Sequence, residues 1–226
     1  MSKTDQAYEH LRQDILRGAL RPDEPLIVAQ LMEAYGFGWT PLRDALSRLE
    51  GEGLVTLQRN RGYRVAGVSF QELRELQEAR LLIEAALLRE AIALGDEDWA
   101  KRLLLAHHHL SRAPEPERGM LAADYNRWEA AHQEFHLALL SGAANAWLKD
   151  CIAKIYAQVQ RHQRAFVVLD GQSSDSLSSD ALGNMLSGYT GLGHHTRLMQ
   201  AALDRRQDEA LILLREHLGT ATPPPA

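Results

Sequence analysis

Residues 40–65 read TPLRDALSRLEGEGLVTLQRNRGYRV, and the fold of the N-terminal part turns on them. Leu42, Ala45, Leu46 and Leu49 recur at the i, i+3, i+4, i+7 spacing of one helix face. Thr40 and Pro41 suit a first helical turn, and Gly53 ends the helix. With the leucines turned to a core, Arg43 and Ser47 share a more exposed face one turn apart. Leu54–Leu57 and Tyr63–Val65 then read as two short strands, with Gln58–Gly62 as the turn between them.

Upstream, a helix runs from about Thr4 to Arg17. Tyr8, Leu11 and Ile15 give its apolar stripe and Gly18 its end. Pro22 and Pro25 mark a turn. A second helix starts near Ile27, with Val28, Leu31, Met32 and Tyr35 on one face, and Gly36 breaks it. Three helices and a two-stranded wing within residues 1–66 make a winged helix-turn-helix. Its third helix can enter a major groove while the wing tip reaches phosphates or the minor groove. Trp39, Thr40 and Arg43 on that helix, with Arg59, Arg61 and the Gly62 backbone at the wing tip, are the candidate DNA contacts.

The rest of the chain lacks strand patterns. After a linker at 67–69, a long helix reaches about Leu94. Further helices are expected at about 97–112, 120–141, 145–169, 189–204 and 207–218. Residues 171–188, rich in Gly and Ser, read as a mobile loop or a weakly helical segment, and 219–226, with three prolines, as a disordered tail. The fold class is therefore mainly α: a winged helix-turn-helix at 1–66 and an all-helical bundle at 70–218.

Composition narrows the function. Apolar residues make up 45% of the 226, enough for packed cores. No stretch has the length of a membrane span and the first residues carry no apolar leader core, so a cytoplasmic protein is expected. The single Cys151 excludes an internal disulfide and reads as a small core residue. The net charge of −5 argues against nucleic acid only as a global sum. Residues 1–68 are neutral, and Arg43, Arg48, Arg59, Arg61 and Arg64 fall in one stretch; a local patch is what meets phosphates.

His132 and His136, four apart on a helix, put both imidazoles on one face, as a shared metal requires. His195 opens one of the last two helices and His217 ends the other, so an antiparallel pair would bring them side by side. From spacing alone they read as ordinary surface or core histidines, because i,i+4 His pairs arise by chance. His107, His108 and His109 point about 100° apart on a helix and cannot all hold one ion, so they read as solvated surface.

Several of these runs resemble a known family. Leu11–Gly18, Thr40–Glu50, Glu52–Val55 and Arg59–Val65 resemble, in order, the DNA-binding domain of GntR-family regulators. The likeness implies operator binding by a homodimer. Members usually carry an arginine where this chain has Ala29 and another where it has Trp39; Trp39 here either contributes to the DNA face or packs against the next helix. The second half resembles the FCD effector domain of the FadR-type branch. Arg80–Glu84, Phe135–Leu139 with Asn145, His195–Leu198 and Arg215–Leu218 carry that likeness. In such domains an Asp and three His bind a divalent metal. His136, His195 and His217 match the three His, and His132 stands at the Asp position. An all-His site favours later transition metals, Zn or Ni above all. His194 is the alternative to His195, which is preferred because Leu198 and Met199 then continue the helix's apolar rhythm. The resemblance also implies a small-molecule cavity over the metal, with a carboxylate effector. Arg80, matching the family's buried arginine, and Arg161 on the cavity helix are the candidate ligand contacts. Arg80 has the alternative of pairing with Glu84 at i+4.

An enzyme is not expected. Glu134 points away from the His132 ring, and no nucleophile elbow or phosphate loop is present. The alternatives are a DNA-silent metal- or metabolite-binding relative and, behind it, a His-site metalloenzyme.

Overall fold

The computed structural model describes residues 1–115, 122–167 and 191–220. It is mainly helical and divides into two compact units.

In the first unit, α1 (Lys3–Leu16) opens on a reciprocal cap. The Ser2 hydroxyl accepts from the Asp5 amide at 3.1 Å and the Asp5 carboxylate accepts from the Ser2 amide at 3.0 Å. β1 (Pro25–Leu26) precedes α2 (Val28–Tyr35), which ends on Gly36 at φ +70°, a conformation that glycine adopts without strain. Next come α3 (Trp39–Gly51), β2 (Val55–Gln58) and β3 (Gly62–Val65). The β2–β3 turn needs left-handed backbone at Asn60 and Gly62, φ +64° and +79°. Leu11, Leu42, Ala45, Leu46, Leu49 and Leu54 are fully buried together, as the sequence periodicity requires. The wing gains a strand that the sequence reading took for a turn. Pro25 pairs with Arg64 and Leu26 with Tyr63, giving an antiparallel sheet in the order β1-β3-β2. Pro25 has no N–H to give a ladder, and an edge strand tolerates that.

The second unit holds α4 (Phe70–Leu94), α5 (Glu97–Arg112), α6 (Ala122–Leu140), the start of α7 (Ala146–Val167), α8 (Leu192–Leu203) and α9 (Gln207–Thr220). Asp96 caps α5 through the Trp99 amide at 2.7 Å. The buried Trp99 indole donates to the Leu139 carbonyl on α6 at 3.1 Å. Gly95 is required here, because a Cβ would collide with the Trp99 ring. α9 runs to Thr220, two residues past the expected helix end at 218. The expected loop at 171–188 and the tail from 221 lie outside the described residues.

The units are not contiguous in sequence. α7 belongs to the second unit up to Tyr156 and to the first from Ala157 onward. Ala157 packs into the winged-helix core. The Gln158 amide donates to the Glu52 carbonyl at 2.8 Å and the Arg164 guanidinium to the Arg17 carbonyl at 2.7 Å. A sequence reading that places all of 70–218 in one bundle misses this, because helical periodicity does not mark a change of packing partner.

Candidate functional site

The exposed face of the winged-helix unit carries the expected cations. Thr40, Arg43, Arg59, Arg61 and Gly62 are all exposed. Trp39, the first residue of α3, is 53% exposed rather than packed against a neighbouring helix. The Arg43 guanidinium lies 4.7 Å from its ring centroid, a cation–π pair one turn along α3. Two of the five clustered arginines are engaged internally. Arg48 pairs with Asp5 at 2.9 Å and lies over the Tyr8 ring, and Arg64 donates to the Asp23 carbonyl. Arg43, Arg59 and Arg61 have no ion pair among the described residues. Ala29 is exposed, so that point of α2 offers no charge.

In the second unit, α6 supplies His132 and His136, α8 His195 and α9 His217. The connection at 204–206 folds α9 back along α8, and Arg205 takes φ +60° to turn it. All four rings are at most 3% exposed, and one nitrogen from each lies within 4.8 Å of the other three. His136 Nε2 and His217 Nε2 are 3.1 Å apart. Two ligands on a tetrahedral zinc at 2.0–2.1 Å stand about 3.3 Å apart, so this pair already has a metal-site spacing.

The outer nitrogens are held from behind, which aims the inner ones. His136 Nδ1 lies 3.3 Å from Glu84 Oε2 on α4. His195 Nδ1 lies 3.1 Å from the Gly191 carbonyl, and its buried Nε2 has no hydrogen-bond partner among the described residues. Such backing fixes tautomer and ring orientation in the way metal ligation requires, and an imidazole nitrogen without a partner inside a histidine cluster suits a metal ligand. His194 is not among the four clustered rings, and its Nε2 lies 2.8 Å from the Leu213 carbonyl.

Burial sets the charge state. Desolvation pulls His195 down to about 3, and pulls His132 and His217 well below the ordinary histidine value; each also feels its neighbours' charge. His136 is lowered too, burial outweighing the Glu84 carboxylate. The cluster is therefore neutral near pH 7, the form that binds metal. Glu84 stays ionised. Burial alone would raise it, but the Arg80 guanidinium at 2.5 Å and the His136 contact bring it to about 2. Since His136 is neutral, Arg80 is the cation responsible. Glu84 also accepts from the Tyr156 hydroxyl at 2.8 Å.

Arg80 thus takes the intrahelical option, bonded to Glu84 and 4.9 Å from the Tyr156 ring centroid. Arg161 lies in the first unit, where its guanidinium donates to the Ala66 and Gly67 carbonyls at 2.5 and 2.7 Å. The other histidines separate cleanly. His107 is half-buried, 2.8 Å from the Thr196 hydroxyl, so the 107–109 run is not wholly solvated; His109 pairs with Glu134 on the surface at 3.0 Å. His162 bonds the Gln158 carbonyl one turn back on α7. Cys151 is exposed, not a core residue. Sequence reasoning missed Glu84, Tyr156 and Gln77 as buried polar groups. The signal was faint: three polar residues on α4, Gln77, Arg80 and Glu84, in register with its apolar face.

A winged helix-turn-helix with free cations, joined to a helical unit that encloses a polar, metal-competent centre, defines a ligand-responsive transcriptional regulator. The chain belongs to the family of bacterial regulatory proteins of the gntR type: that family's model matches residues 3–65, and the FCD domain matches residues 75–220. It is 33% identical to the HTH-type transcriptional repressor GlaR of Escherichia coli K12, over 96% of this chain and 92% of the relative. It is 28% identical to the HTH-type transcriptional regulator BphR of Paraburkholderia xenovorans LB400, over 97% of this chain and 84% of the relative. A GntR-type regulator of Rhodococcus sp. RHA1 shares the fold, with a TM-score of 0.74 at 21% identity over 98% and 96% of the two chains. These relatives are regulators, not enzymes. No helix among the described residues is long and apolar enough to cross a membrane.

Proposed function

We propose that this regulator binds a divalent transition metal through His132, His136, His195 and His217, and senses a small carboxylate at that metal. The observation that carries the reading is the cluster of four buried, neutral imidazoles with ligating nitrogens within 4.8 Å of one another. Four nitrogen ligands without a carboxylate favour zinc or nickel over magnesium or manganese. Charge supports an anionic effector. The histidines contribute none, and Arg80 is balanced by Glu84, so a divalent ion would bring an uncompensated double positive charge into a dry interior. Held by these four imidazoles, a metal would supply Lewis acidity suited to a carboxylate. The protein's own part is to hold the imidazoles neutral and oriented.

The DNA side of the proposal is a homodimer on a two-fold operator, with Trp39, Thr40 and Arg43 in the major groove and Arg59, Arg61 and Gly62 at the wing contact. The relative named as a repressor supports repression as the sign of control. The domain organisation is a DNA-binding domain at 1–66, a linker at 67–69 and an effector domain at 70–218, with the end of α7 packed on the former.

The test combines metal content with operator binding. Wild-type protein should carry close to one equivalent of metal by mass spectrometry, and His136→Ala/His217→Ala should carry none. Full occupancy in that variant would defeat the site. Binding to the protein's own upstream DNA should be saturable, sequence-selective and altered by a chelator. Absence of selective binding at low salt, with metal present, would favour a DNA-silent relative.

A further inference from the structure

We propose that Gln77 is the effector-recognition residue, and that it selects a carboxylate whose far end carries a neutral group able both to donate and to accept a hydrogen bond, a carboxamide or a hydroxyl. The inference rests on the reading of the centre as a metal-anchored carboxylate site.

Gln77 is 2% exposed, yet neither its Oε1 nor its Nε2 has a hydrogen-bond partner among the described residues. A buried carboxamide with both ends unmet is rare and costly, and such a group marks a place where water or a ligand completes the bonding. Its position points to a ligand. Leu73, Gln77, Arg80 and Glu84 are among the buried positions of α4, spaced so as to share one side of it. Gln77 and Glu84 are seven residues apart, nearly two full turns, so they lie almost on one line, about 10 Å apart along the axis. Glu84 touches His136 at 3.3 Å, so this line of α4 faces the histidine centre. A ligand anchored at the centre and extended along α4 would pass Arg80, already bonded to Glu84 at 2.5 Å, and reach Gln77 at its far end.

The chemistry of the amide decides which end group it prefers. A carboxamide presents two N–H donors and one carbonyl acceptor. A second carboxylate would engage only the N–H side and set a negative oxygen against the buried carbonyl. A methyl or isopropyl end would satisfy neither. A carboxamide or hydroxyl satisfies both, and sites built to bond such a group reject analogues that lack it far more strongly than apolar pockets reject an added one.

The experiment measures calorimetric affinities of the metal-loaded protein for three series of carboxylates whose far end is a carboxamide, a second carboxylate or an isopropyl group, each with two to six intervening methylenes, so that the longest members span the roughly 10 Å between Glu84 and Gln77. Wild-type protein should bind the amide-ended member of a length series at least about tenfold more tightly than its isopropyl isostere. Gln77→Leu should abolish or reverse that preference while its metal content stays unchanged, and its ligand-free Tm should rise, since an unmet amide has been removed. Binding without an amide preference, or a preference that survives Gln77→Leu, overturns the assignment of Gln77 while leaving the carboxylate site standing. Failure of every member to bind overturns both.

Discussion

Acidifying the metal-free protein from about pH 7.5 to about 5.5 should destabilise it by up to about 4 kcal/mol. Burial holds His195 at about 3 and His132 and His217 well below the usual value, whereas in the unfolded chain all three titrate near 6.5. Between those limits the unfolded state binds more protons than the folded state, so unfolding becomes easier as pH falls and stability is flat above the unfolded value. Across this interval each histidine contributes about 1.4 kcal/mol, and three give about 4. His136 adds in the same direction. Glu84 does not interfere: its carboxylate, held at about 2, contributes stability above its ordinary value that is lost only on further acidification. The assay is urea unfolding after dialysis against a chelator, followed by circular dichroism at both pH values, with the slope m checked for constancy. His217→Leu should lose about 1.4 kcal/mol of the effect. A wild-type change below about 1 kcal/mol would refute the reasoning, because it would mean that the rings reach solvent and protonate without unfolding.

Three other outcomes follow from particular contacts. His132→Asp, which restores the carboxylate usual in such domains, should keep a metal but shift occupancy from zinc or nickel toward manganese or iron when the stripped protein is offered an equimolar mixture; an unchanged preference would show that His132 is not a ligand. Arg43→Ala removes a groove-facing guanidinium and should cost about 1–3 kcal/mol of operator affinity by fluorescence anisotropy at fixed salt; unchanged affinity would remove Arg43 from the recognition surface. Arg161→Met deprives the Ala66 and Gly67 carbonyls of a charged donor and should lower stability by about 2–3 kcal/mol with metal content and effector affinity unchanged; lost effector affinity at unchanged stability would return Arg161 to the ligand site.

How far the sequence carried this structure depended on whether a feature was local. The spacing of Leu42, Ala45, Leu46 and Leu49 fixes which face of α3 is buried, and so exposes Arg43, because one helix face must enter the core. β1 escaped notice because two residues have no periodicity, and its strand character exists only through pairing with Tyr63 and Arg64. The His132–His136 pair is written in one helix. Its meeting with His195 and His217 is tertiary, and it came from the likeness to FCD domains. Arg80 illustrates an open alternative that geometry resolves: its bond to Glu84 is an i,i+4 contact visible in the sequence, but whether the pair is surface or core is not. The contacts of Arg161 with Ala66 and Gly67 are not legible in advance, because residues 146–167 give one unbroken helical pattern although its two halves pack in different units.

That divided helix also says where coupling between sensing and DNA binding can be sought. Tyr156 hydrogen-bonds Glu84, which backs His136, and Arg161 holds the carbonyls of Ala66 and Gly67 between the wing and α4. The two residues stand on the same α-helix, five positions apart. The hypothesis is that a ligand that changes how Glu84 is held acts on α7. The hypothesis is tested by Tyr156→Phe. It removes one hydrogen bond to Glu84, which retains Arg80 and His136, so metal content should persist and operator affinity without effector should stay within about twofold. The response to a bound carboxylate should shrink, because coupling between sites is a free energy of about 1–3 kcal/mol and one bond in the chain is worth about 1. The measurement is the ratio of operator affinities with and without the carboxylate that binds wild-type protein best. A ratio equal to that of wild type would show that the Glu84–Tyr156 contact plays no part in the switch, and that the linker is moved by something other than α7.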